Sequence, residues 1–216
     1  MKKLNIIYED KEILVVNKPS KLLTVGTDKE RERTLYHEVR EYLHKKNQKV
    51  FVVHRLDKDT SGIVLFAKNP RLKELLQRDW LRYTREYRAV VEGKLPKTKD
   101  TLRFYLQEDK NHHVYVSDKG LSSVTEYEVL DTNKTQSLIS VRIKTGRKNQ
   151  IRASLAYIGN PIVGDKKYDA KINSLSRLGL HANRLVIKHP LTNKEMTFTC
   201  DAPKVFYLGF KDYNEE

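Results

Sequence analysis

The nine residues HRLDKDTSG, at positions 54–62, bring together acids, bases and hydroxyl groups that could carry out chemistry. Arg55 and Asp57 are two positions apart, so in an extended segment their side chains point to the same face. A guanidinium beside a carboxylate keeps the acid ionised at neutral pH. Asp57 could therefore act as a nucleophile or general base, whereas a general acid would need an apolar pocket that favours its protonated form.

A calcium site or a simple turn would account for only part of this motif. The oxygen-bearing side chains of residues 57–62 match the first half of an EF-hand calcium loop, but Lys68 stands where that loop needs a glutamate ligand. Capping of a tight turn is an ordinary role for the side chains of residues 59–61. That role leaves Arg55 and Asp57 unexplained, so we expect chemistry rather than structure alone at this position.

Strands on both sides must hold the motif in place. Apolar runs predict strands at residues 51–57 and 62–68, with the motif as the turn between them. Another buried strand is predicted at residues 13–16. Pro19, which cannot donate to a strand ladder, ends that strand and leaves Lys18 at its exit.

Capping residues mark the predicted helices. Thr34 is placed to cap one amphipathic helix, and Asn69 and Pro70 suit the cap and first position of a second. A third helix is predicted at residues 147–158, with Gly159 as its stop. The rest of the chain is strand-rich without a regular βαβ order, which predicts an α+β fold with a largely antiparallel sheet.

Composition favours one folded domain that binds a polyanion. A chain of 216 residues suits a single domain, 1–216, with a substantial buried core. Lys and Arg number 42 against 28 Asp and Glu, a formal net charge of +14. Such a charge attracts polyanions over long range, and nucleic acid is the favoured partner.

Cysteine content and hydropathy indicate the compartment. Cys200 is the only cysteine, so no intramolecular disulfide can form. The N-terminal segment MKKLNIIYEDKEIL interrupts its apolar run with acidic residues and lacks the pattern of a signal peptide. No apolar run approaches the ~18 residues of a membrane span. We expect a soluble cytoplasmic protein that does not bind membranes.

The segment HRLDKDTSGIVLFAK resembles the signature of the RluA-type pseudouridine synthases, HRLDxxTSG followed by an apolar strand. Five other segments are similar to the opening segment, the tyrosine-containing strand, the mid-chain strand, the glycine–arginine helix and the C-terminal strand of that family: YEDKEILVVNKPSKLLTV, REYRAVVEGKL, SVTEYEVL, TGRKNQIRASLAYIGNPIVGDKKYD and LHANRLVIKHP. The resemblance covers residues 8–203 and implies a bent, largely antiparallel sheet flanked by helices. The sequence departs from the family pattern at Lys21, where glycine is usual, at Arg85, where lysine is common, and at Asn149, where histidine is usual.

The resemblance implies an isomerase that detaches uracil from C1′ of a uridine in RNA and rejoins it through C5, without a cofactor. Asp57 would be the catalytic aspartate, either attacking C1′ or removing a proton from C2′. Tyr87 would stack against the uracil, and Arg152 would pair with Asp57. Arg55 would fill the place that the extruded base leaves in its stack.

Other basic residues are candidates for RNA contact. Arg147 and Lys148 begin the third predicted helix, where free N–H groups and the positive end of the helix dipole could hold a phosphate. Lys18 and Lys68 lie at predicted strand ends and are further candidates. No metal site is expected, because the adjacent residues 112 and 113, both histidines, would point to opposite faces of a strand.

Two other function classes stay open. One is a non-catalytic RNA-binding protein that uses the same basic surface. The other is a hydrolase with Asp57 and Asp59 as paired carboxylates, which free uracil among the products would reveal.

Among RNA targets, ribosomal RNA is favoured over transfer RNA. Many members of the family carry an N-terminal S4 RNA-binding module, and we expect none here because the segment that resembles the family begins at about residue 6. We expect a monomer with no obligate protein partner.

Overall fold

A computed structural model describes residues 4–26 and 32–211. The described chain divides into two compact units. The first contains the described residues up to Tyr83 together with Ala182–Asp201, and the second contains Thr84–His181 together with the described residues from Ala202 onward. The prediction of a single domain stays a prediction.

Strands and helices follow the order expected of an α+β protein. Within the described residues they are β1 (Ile6–Glu9), β2 (Ile13–Lys18), α1 (Leu35–His44), β3 (Phe51–Val52), β4 (Ser61–Ala67), α2 (Pro70–Arg78), β5 (Thr84–Glu92), β6 (Lys99–Glu108), β7 (Val114–Ser117), β8 (Leu121–Thr132), β9 (Gln136–Ile143), α3 (Gln150–Tyr157), β10 (Leu180–Lys188) and β11 (Glu195–Thr199). Every strand pair with a described register is antiparallel, which confirms the predicted fold class.

The sheet of the first unit is built around two strands that are buried along almost their whole length. In β2 and β4, Val16 pairs with Val64 and Lys18 pairs with Gly62. β1 pairs with β2, β3 with β4, and β10 with β11. Side chains from β2, β4, α2, β10 and β11 form the core of this unit: Ile13, Val15, Ile63, Leu65, Leu72, Leu76, Leu185, Ile187 and Phe198.

The strands of the second unit lie in the order β5, β9, β8, β6, β7, so β8 and β9 are inserted between β5 and β6. Helix α3 contributes Ile151 and Leu155 to the core that covers one face of this sheet. On the β6 strand, buried Leu102 and Leu106 alternate with exposed residues, as expected for a sheet with one face on a core and the other in water.

The first two helices begin where their capping residues predict. The Thr34 hydroxyl accepts a hydrogen bond from the His37 N–H at 3.2 Å, and α1 starts at the next residue. Asn69 accepts one from the Leu72 N–H at 2.7 Å, with Pro70 at the first helical position of α2. Each cap satisfies a backbone N–H that the helix itself leaves without a partner.

Two predicted boundaries were wrong. The strand predicted at residues 51–57 ends at Val52, and residues 53–60 are irregular. The helix predicted at residues 147–158 begins only at Gln150, although Gly159 follows its end with a φ of 83°, as predicted. No helix within residues 4–26 and 32–211 combines the length and the apolar character needed to cross a membrane.

An ion cluster around Glu9 in the first unit makes the stability of the protein depend on pH. Burial by itself would raise the pKa of Glu9, but hydrogen bonds from Lys68, Tyr42 and Lys46 outweigh it and lower the pKa from 4.5 to about 2. A carboxylate with a lowered folded-state pKa stabilises the protein fully above the unfolded value near 4.5, and this stabilisation is lost as the pH falls toward 2.

We therefore expect Glu9→Gln to lower the free energy of unfolding at pH 7 by about 1 kcal/mol, a value reduced by solvent screening of this partly exposed group. The difference from the wild type should shrink between pH 4.5 and 2. Urea unfolding across this pH range measures it. Glu12→Gln, which changes a nearby carboxylate outside this cluster, is the control. A difference that stays constant with pH would contradict the assignment.

Candidate active site

Asp57 lies in the irregular segment between β3 and β4, just before the buried strand β4 begins. Its side chain is half-buried, whereas Arg55 is exposed. A carboxylate in this position can face a large substrate from a rigid support, because the strand that follows it is buried along its whole length. Asp57 thus lies in the segment that leads into a strand, as predicted.

His54 fixes the start of this segment. Its Nε2 accepts a hydrogen bond from the Leu65 N–H at 3.0 Å, which requires the tautomer with the proton on Nδ1. The imidazole also stacks on Trp80, with ring centroids 4.2 Å apart and an interplanar angle of 26°. The first residue of the motif therefore holds the loop against β4 and the short turn that follows α2.

The glycine of the motif allows two strands to approach closely. Gly62 has a φ of 113°, a conformation that side-chain-bearing residues rarely adopt. A Cβ atom at this position would overlap the backbone oxygen of Ala182. Only glycine fits, so the type of residue 62 is set by backbone packing rather than by chemistry.

Lys18 is buried and not available for RNA contact, which corrects the sequence-based expectation. Its side chain is fully buried, and its Nζ donates to the carbonyl oxygens of Pro19, Leu22 and Lys58 at 3.0, 2.7 and 3.0 Å. A buried ammonium must satisfy its donors, and three carbonyls do so. The lysine therefore joins the end of β2 to the loop that carries Asp57.

Lys68 is also buried rather than available for RNA. Its Nζ lies 2.8 Å from Glu9 Oε1 and also donates to the backbone oxygen of Asp10. The side chain is 5% exposed. This lysine therefore fastens the end of β4 to β1, and its predicted RNA contact was wrong.

Tyr87 lies in the middle of β5, opposite Val141 of β9. It is half-buried and packs against the core of the second unit. An aromatic ring with one side on a core and the other accessible is suited to hold a flat ligand, because the ring cannot rotate away. Its predicted stacking against uracil is compatible with this position and stays a prediction.

Arg152 lies on α3 and is buried in a close ion pair. Its Nε and Nη2 atoms each lie 2.7 Å from a carboxylate oxygen of Asp165, which is a bidentate arrangement. The guanidinium carbon is also 5.3 Å from the ring centroid of Tyr168. Asp165 and Tyr168 thus fix the side chain of Arg152. The third guanidinium nitrogen, Nη1, is not one of the two atoms that bind Asp165.

Asp165 was not predicted from the sequence. It stands in the segment GDKKYD, which carried the family resemblance, but no periodicity connects it to a residue 13 positions earlier. The Tyr168 hydroxyl donates to the Val114 carbonyl at 2.9 Å, so the tyrosine is itself held by β7. Charged residues are seldom buried unless they are paired, but the burial of Arg152 and Asp165 is seen only in the structure, so the sequence held no signal for this pair.

Arg147 and Lys148 lie in the turn before α3, not in its first turn. Arg147 is exposed, and its Nε donates to the Ser122 carbonyl at 3.1 Å, while its backbone N–H donates to Gln150 Oε1 at 3.0 Å. Lys148 is exposed and forms an ion pair with Glu108. The Gln150 side chain occupies the backbone N–H of Arg147, so this N–H is not available to a phosphate.

Asn149 occupies a special backbone position. Its φ of 49° and ψ of 21° place it in the left-handed region, immediately before α3. Asparagine tolerates this conformation better than most residues. The departure from the family pattern at this position is therefore compatible with the local backbone.

The candidate residues fall into two groups. Arg55 and Asp57 belong to the first unit, and Tyr87, Arg147, Lys148 and Arg152 belong to the second. Within the second unit, Arg147 and Lys148 lie in the turn before α3, and Arg152 lies in the first turn of this helix. The convergence of Asp57 with Tyr87 and Arg152 stays a prediction.

The model of the RNA pseudouridylate synthase family matches residues 12–157 of this chain. The chain belongs to this family. The match includes the HRLDKDTSG motif, Tyr87 and Arg152. The enzyme is therefore an isomerase that acts on uridine in RNA, as its sequence motifs predicted.

Curated relatives agree with this assignment. An uncharacterized RNA pseudouridine synthase of Mycoplasma pneumoniae is 36% identical over 215 residues, which cover 94% of this chain and 68% of the relative. The ribosomal large subunit pseudouridine synthase D of Escherichia coli is 31% identical over 242 residues, covering 99% of this chain and 73% of the relative.

Solved structures show the same fold. The human RNA pseudouridylate synthase domain-containing protein 4 superimposes with a TM-score of 0.77 at 22% identity, covering 94% of this chain and 90% of that one. The human domain-containing protein 1 gives a TM-score of 0.77 at 23% identity, with 94% and 84% covered. The enzyme thus has the fold of pseudouridine synthases.

Proposed function

We propose that the enzyme converts specific uridines of ribosomal RNA to pseudouridine, with Asp57 as its essential carboxylate. The observation that carries the role of Asp57 is its place in the HRLDKDTSG motif, half-buried at the mouth of β4. The preference for ribosomal over transfer RNA is supported by relatives that are named ribosomal large subunit pseudouridine synthase D. The enzyme works as a cytoplasmic monomer without a cofactor.

The reaction exchanges one bond to the sugar for another. The N1–C1′ bond of the uridine breaks, the ring turns, and a C5–C1′ bond forms. N1 gains a proton, and the proton on C5 is lost to solvent. Asp57 either attacks C1′ and later leaves, or removes a proton from C2′ and later returns it. Both routes need an ionised carboxylate held against the sugar.

Three other residues fill the vacated place in the base stack, hold the uracil and orient Asp57. The target base must leave its stack, which costs roughly a few kcal/mol in a paired region. Arg55 is exposed and planar, so it can occupy the vacated space by stacking and hydrogen bonding. Tyr87 holds the uracil while it is detached from the sugar. Arg152, fixed by Asp165, holds the charge and orientation of Asp57.

Electrostatics should contribute strongly to RNA binding. Each phosphate that a single-stranded site brings to a cation changes the slope of log affinity against log salt by about −0.7. We expect Arg147→Met to weaken RNA binding and to reduce the magnitude of this slope by about 0.7. Fluorescence anisotropy with labelled RNA between low and high salt measures both quantities.

Lys194→Met is the matched control, because it removes an exposed cation from the hairpin between β10 and β11. It should leave the slope unchanged. Equal effects of the two substitutions would mean that net charge, and not a local contact at Arg147, determines binding. An unchanged slope for Arg147→Met would remove that residue from the interface.

The direct test of the proposal uses RNA that contains uridine tritiated at C5. Separate ribosomal and transfer RNA transcripts are incubated with the enzyme, and tritium release to water is counted. Release from ribosomal RNA alone is the expected result. Release only from transfer RNA would overturn the proposed target class. Release from neither RNA, with binding retained, would support the non-catalytic alternative, and free uracil among the products would indicate a hydrolase.

A further inference from the structure

A buried threonine holds the backbone beside Asp57. The Oγ1 atom of Thr24 donates to the Leu56 carbonyl at 2.8 Å and accepts from the Leu56 N–H at 3.1 Å. One hydroxyl thus binds both backbone hydrogen-bonding groups of the residue that precedes Asp57. Thr24 is 1% exposed and Leu56 is 6% exposed, so water is largely excluded from these bonds.

This arrangement compensates for the lack of regular structure in the loop. Residues 53–60 form no strand, and their backbone groups are not paired in a ladder. Buried N–H and carbonyl groups must nevertheless find partners. At Leu56 the Thr24 hydroxyl takes the position that a neighbouring strand would otherwise occupy.

Contacts on the other side of Asp57 complete the support. The Lys18 ammonium donates to the Lys58 carbonyl, and the Ser20 hydroxyl donates to the Asp59 carbonyl at 2.7 Å. The backbone both before and after Asp57 is therefore bound by side chains from residues 18–24. These side chains can support Asp57 through the loop backbone without contacting the substrate.

The segment that carries Thr24 is itself anchored to α1. The Thr24 carbonyl accepts from the Tyr36 N–H at 3.0 Å, and the Leu23 carbonyl accepts from the Leu35 N–H at 2.8 Å. Leu35 is fully buried. Thr24 therefore connects the first turn of α1, an amphipathic helix with one buried face, to the loop, which makes it a firm support rather than a second mobile segment.

We propose that Thr24 is a positioning residue for the reaction, acting through Leu56 to fix Asp57 against the sugar. This inference rests on the proposed function of Asp57. Misplacement of a catalytic group by ~1 Å can cost about a hundredfold in rate. Loss of the two bonds frees the backbone next to Asp57, so the chemical step slows while RNA binding is kept.

The test compares Thr24→Val, which keeps the shape and removes the hydroxyl, with Thr24→Ser, which keeps the hydroxyl. For Thr24→Val we expect kcat to fall by ~10- to 100-fold with KM and RNA affinity within about twofold of the wild type. Thr24→Ser should recover most of the rate. Ser137→Ala, which removes a buried hydroxyl bond to the Gly93 carbonyl of the second unit, should leave kcat unchanged.

Assays are run far below the unfolding midpoint of every variant, so that loss of folded protein does not contribute to the rates. Amide hydrogen exchange at Leu56 supplies a readout that needs no turnover. Its protection should be lost in Thr24→Val and kept in Thr24→Ser and Ser137→Ala. Unchanged Leu56 protection in Thr24→Val would overturn the proposed clamp.

Kinetic outcomes separate this inference from the function on which it rests. If Asp57→Asn is inactive but Thr24→Val turns over at the wild-type rate, the positioning role is wrong and the function stands. Equal losses in Thr24→Val and Thr24→Ser would assign the effect to packing and would also overturn it. If Asp57→Asn is as active as the wild type, both proposals fail together.

Discussion

Asp57→Asn should abolish pseudouridine formation while the protein still folds and binds RNA. The substitution keeps the shape of the side chain but removes its charge, so the residue can neither attack C1′ nor accept the C2′ proton. We expect tritium release to fall by at least about a thousandfold, as is usual when the reacting group of an enzyme is removed. Single-turnover tritium release, thermal unfolding and RNA affinity measure the three properties.

The fold should survive because the loop is held by its backbone. The Leu56 and Lys58 backbone groups bind Thr24 and Lys18, and neither contact uses the Asp57 carboxylate. We therefore expect the free energy of unfolding to change by less than about 1 kcal/mol, within the common range for single substitutions.

Asp59→Asn is the matched control for this experiment. Asp59 is exposed, lies two residues away in the same loop, and undergoes the same chemical change. Near-normal turnover is expected. If both variants lose activity equally, the two carboxylates act as a pair, as in the hydrolase alternative. Full turnover by Asp57→Asn would remove the aspartate from the mechanism.

Local signals in the sequence predicted local structure well. Thr34 and Asn69 cap the helices that they were expected to cap, because a cap depends only on the next three residues. The buried strand predicted at residues 62–68 is β4, Ser61–Ala67, because this run is mostly apolar and bounded by turn residues. These features need no knowledge of distant parts of the chain.

Contacts between distant residues explain the errors. The strand predicted at residues 51–57 has the right apolar pattern, but the chain leaves the sheet after Val52 because Thr24 and Lys18 satisfy the loop backbone instead. Lys18 and Lys68 were candidates for RNA contact because they lie at predicted strand ends. Their carbonyl and carboxylate partners could not be read from sequence spacing.

In the candidate site, too, local features were predicted from the sequence and contacts between distant residues were not. Asp57 was identified because its motif is contiguous, and its loop lies at the mouth of a strand as predicted. The predicted pairing of Arg152 with Asp57 stays a prediction, whereas the pairing with Asp165, within the same unit, was not predicted. That pairing depends on a helix and a following loop being folded together, which no local pattern encodes.

Asp165→Asn should destabilise the second unit strongly. Arg152 and Asp165 have side-chain exposures of 9% and 1%, so the pair is buried. Removal of one partner from a buried ion pair typically costs about 3–5 kcal/mol, because the other charge stays desolvated. We expect about 3 kcal/mol for asparagine, which retains one oxygen acceptor. Urea unfolding measures the change, and Asp169→Asn, at an exposed position four residues later, should cost less than about 0.5 kcal/mol.

A double variant separates the two roles of Arg152. Replacement of a whole buried ion pair by apolar side chains of similar volume is often neutral for stability. Arg152→Met combined with Asp165→Leu should therefore recover most of the stability that either change loses alone. Turnover should stay low in the double variant, because Asp57 has lost the cation that we propose holds its charge and orientation. If the double variant regains both stability and wild-type turnover, Arg152 is purely structural, and the support of Asp57 must come from its own loop.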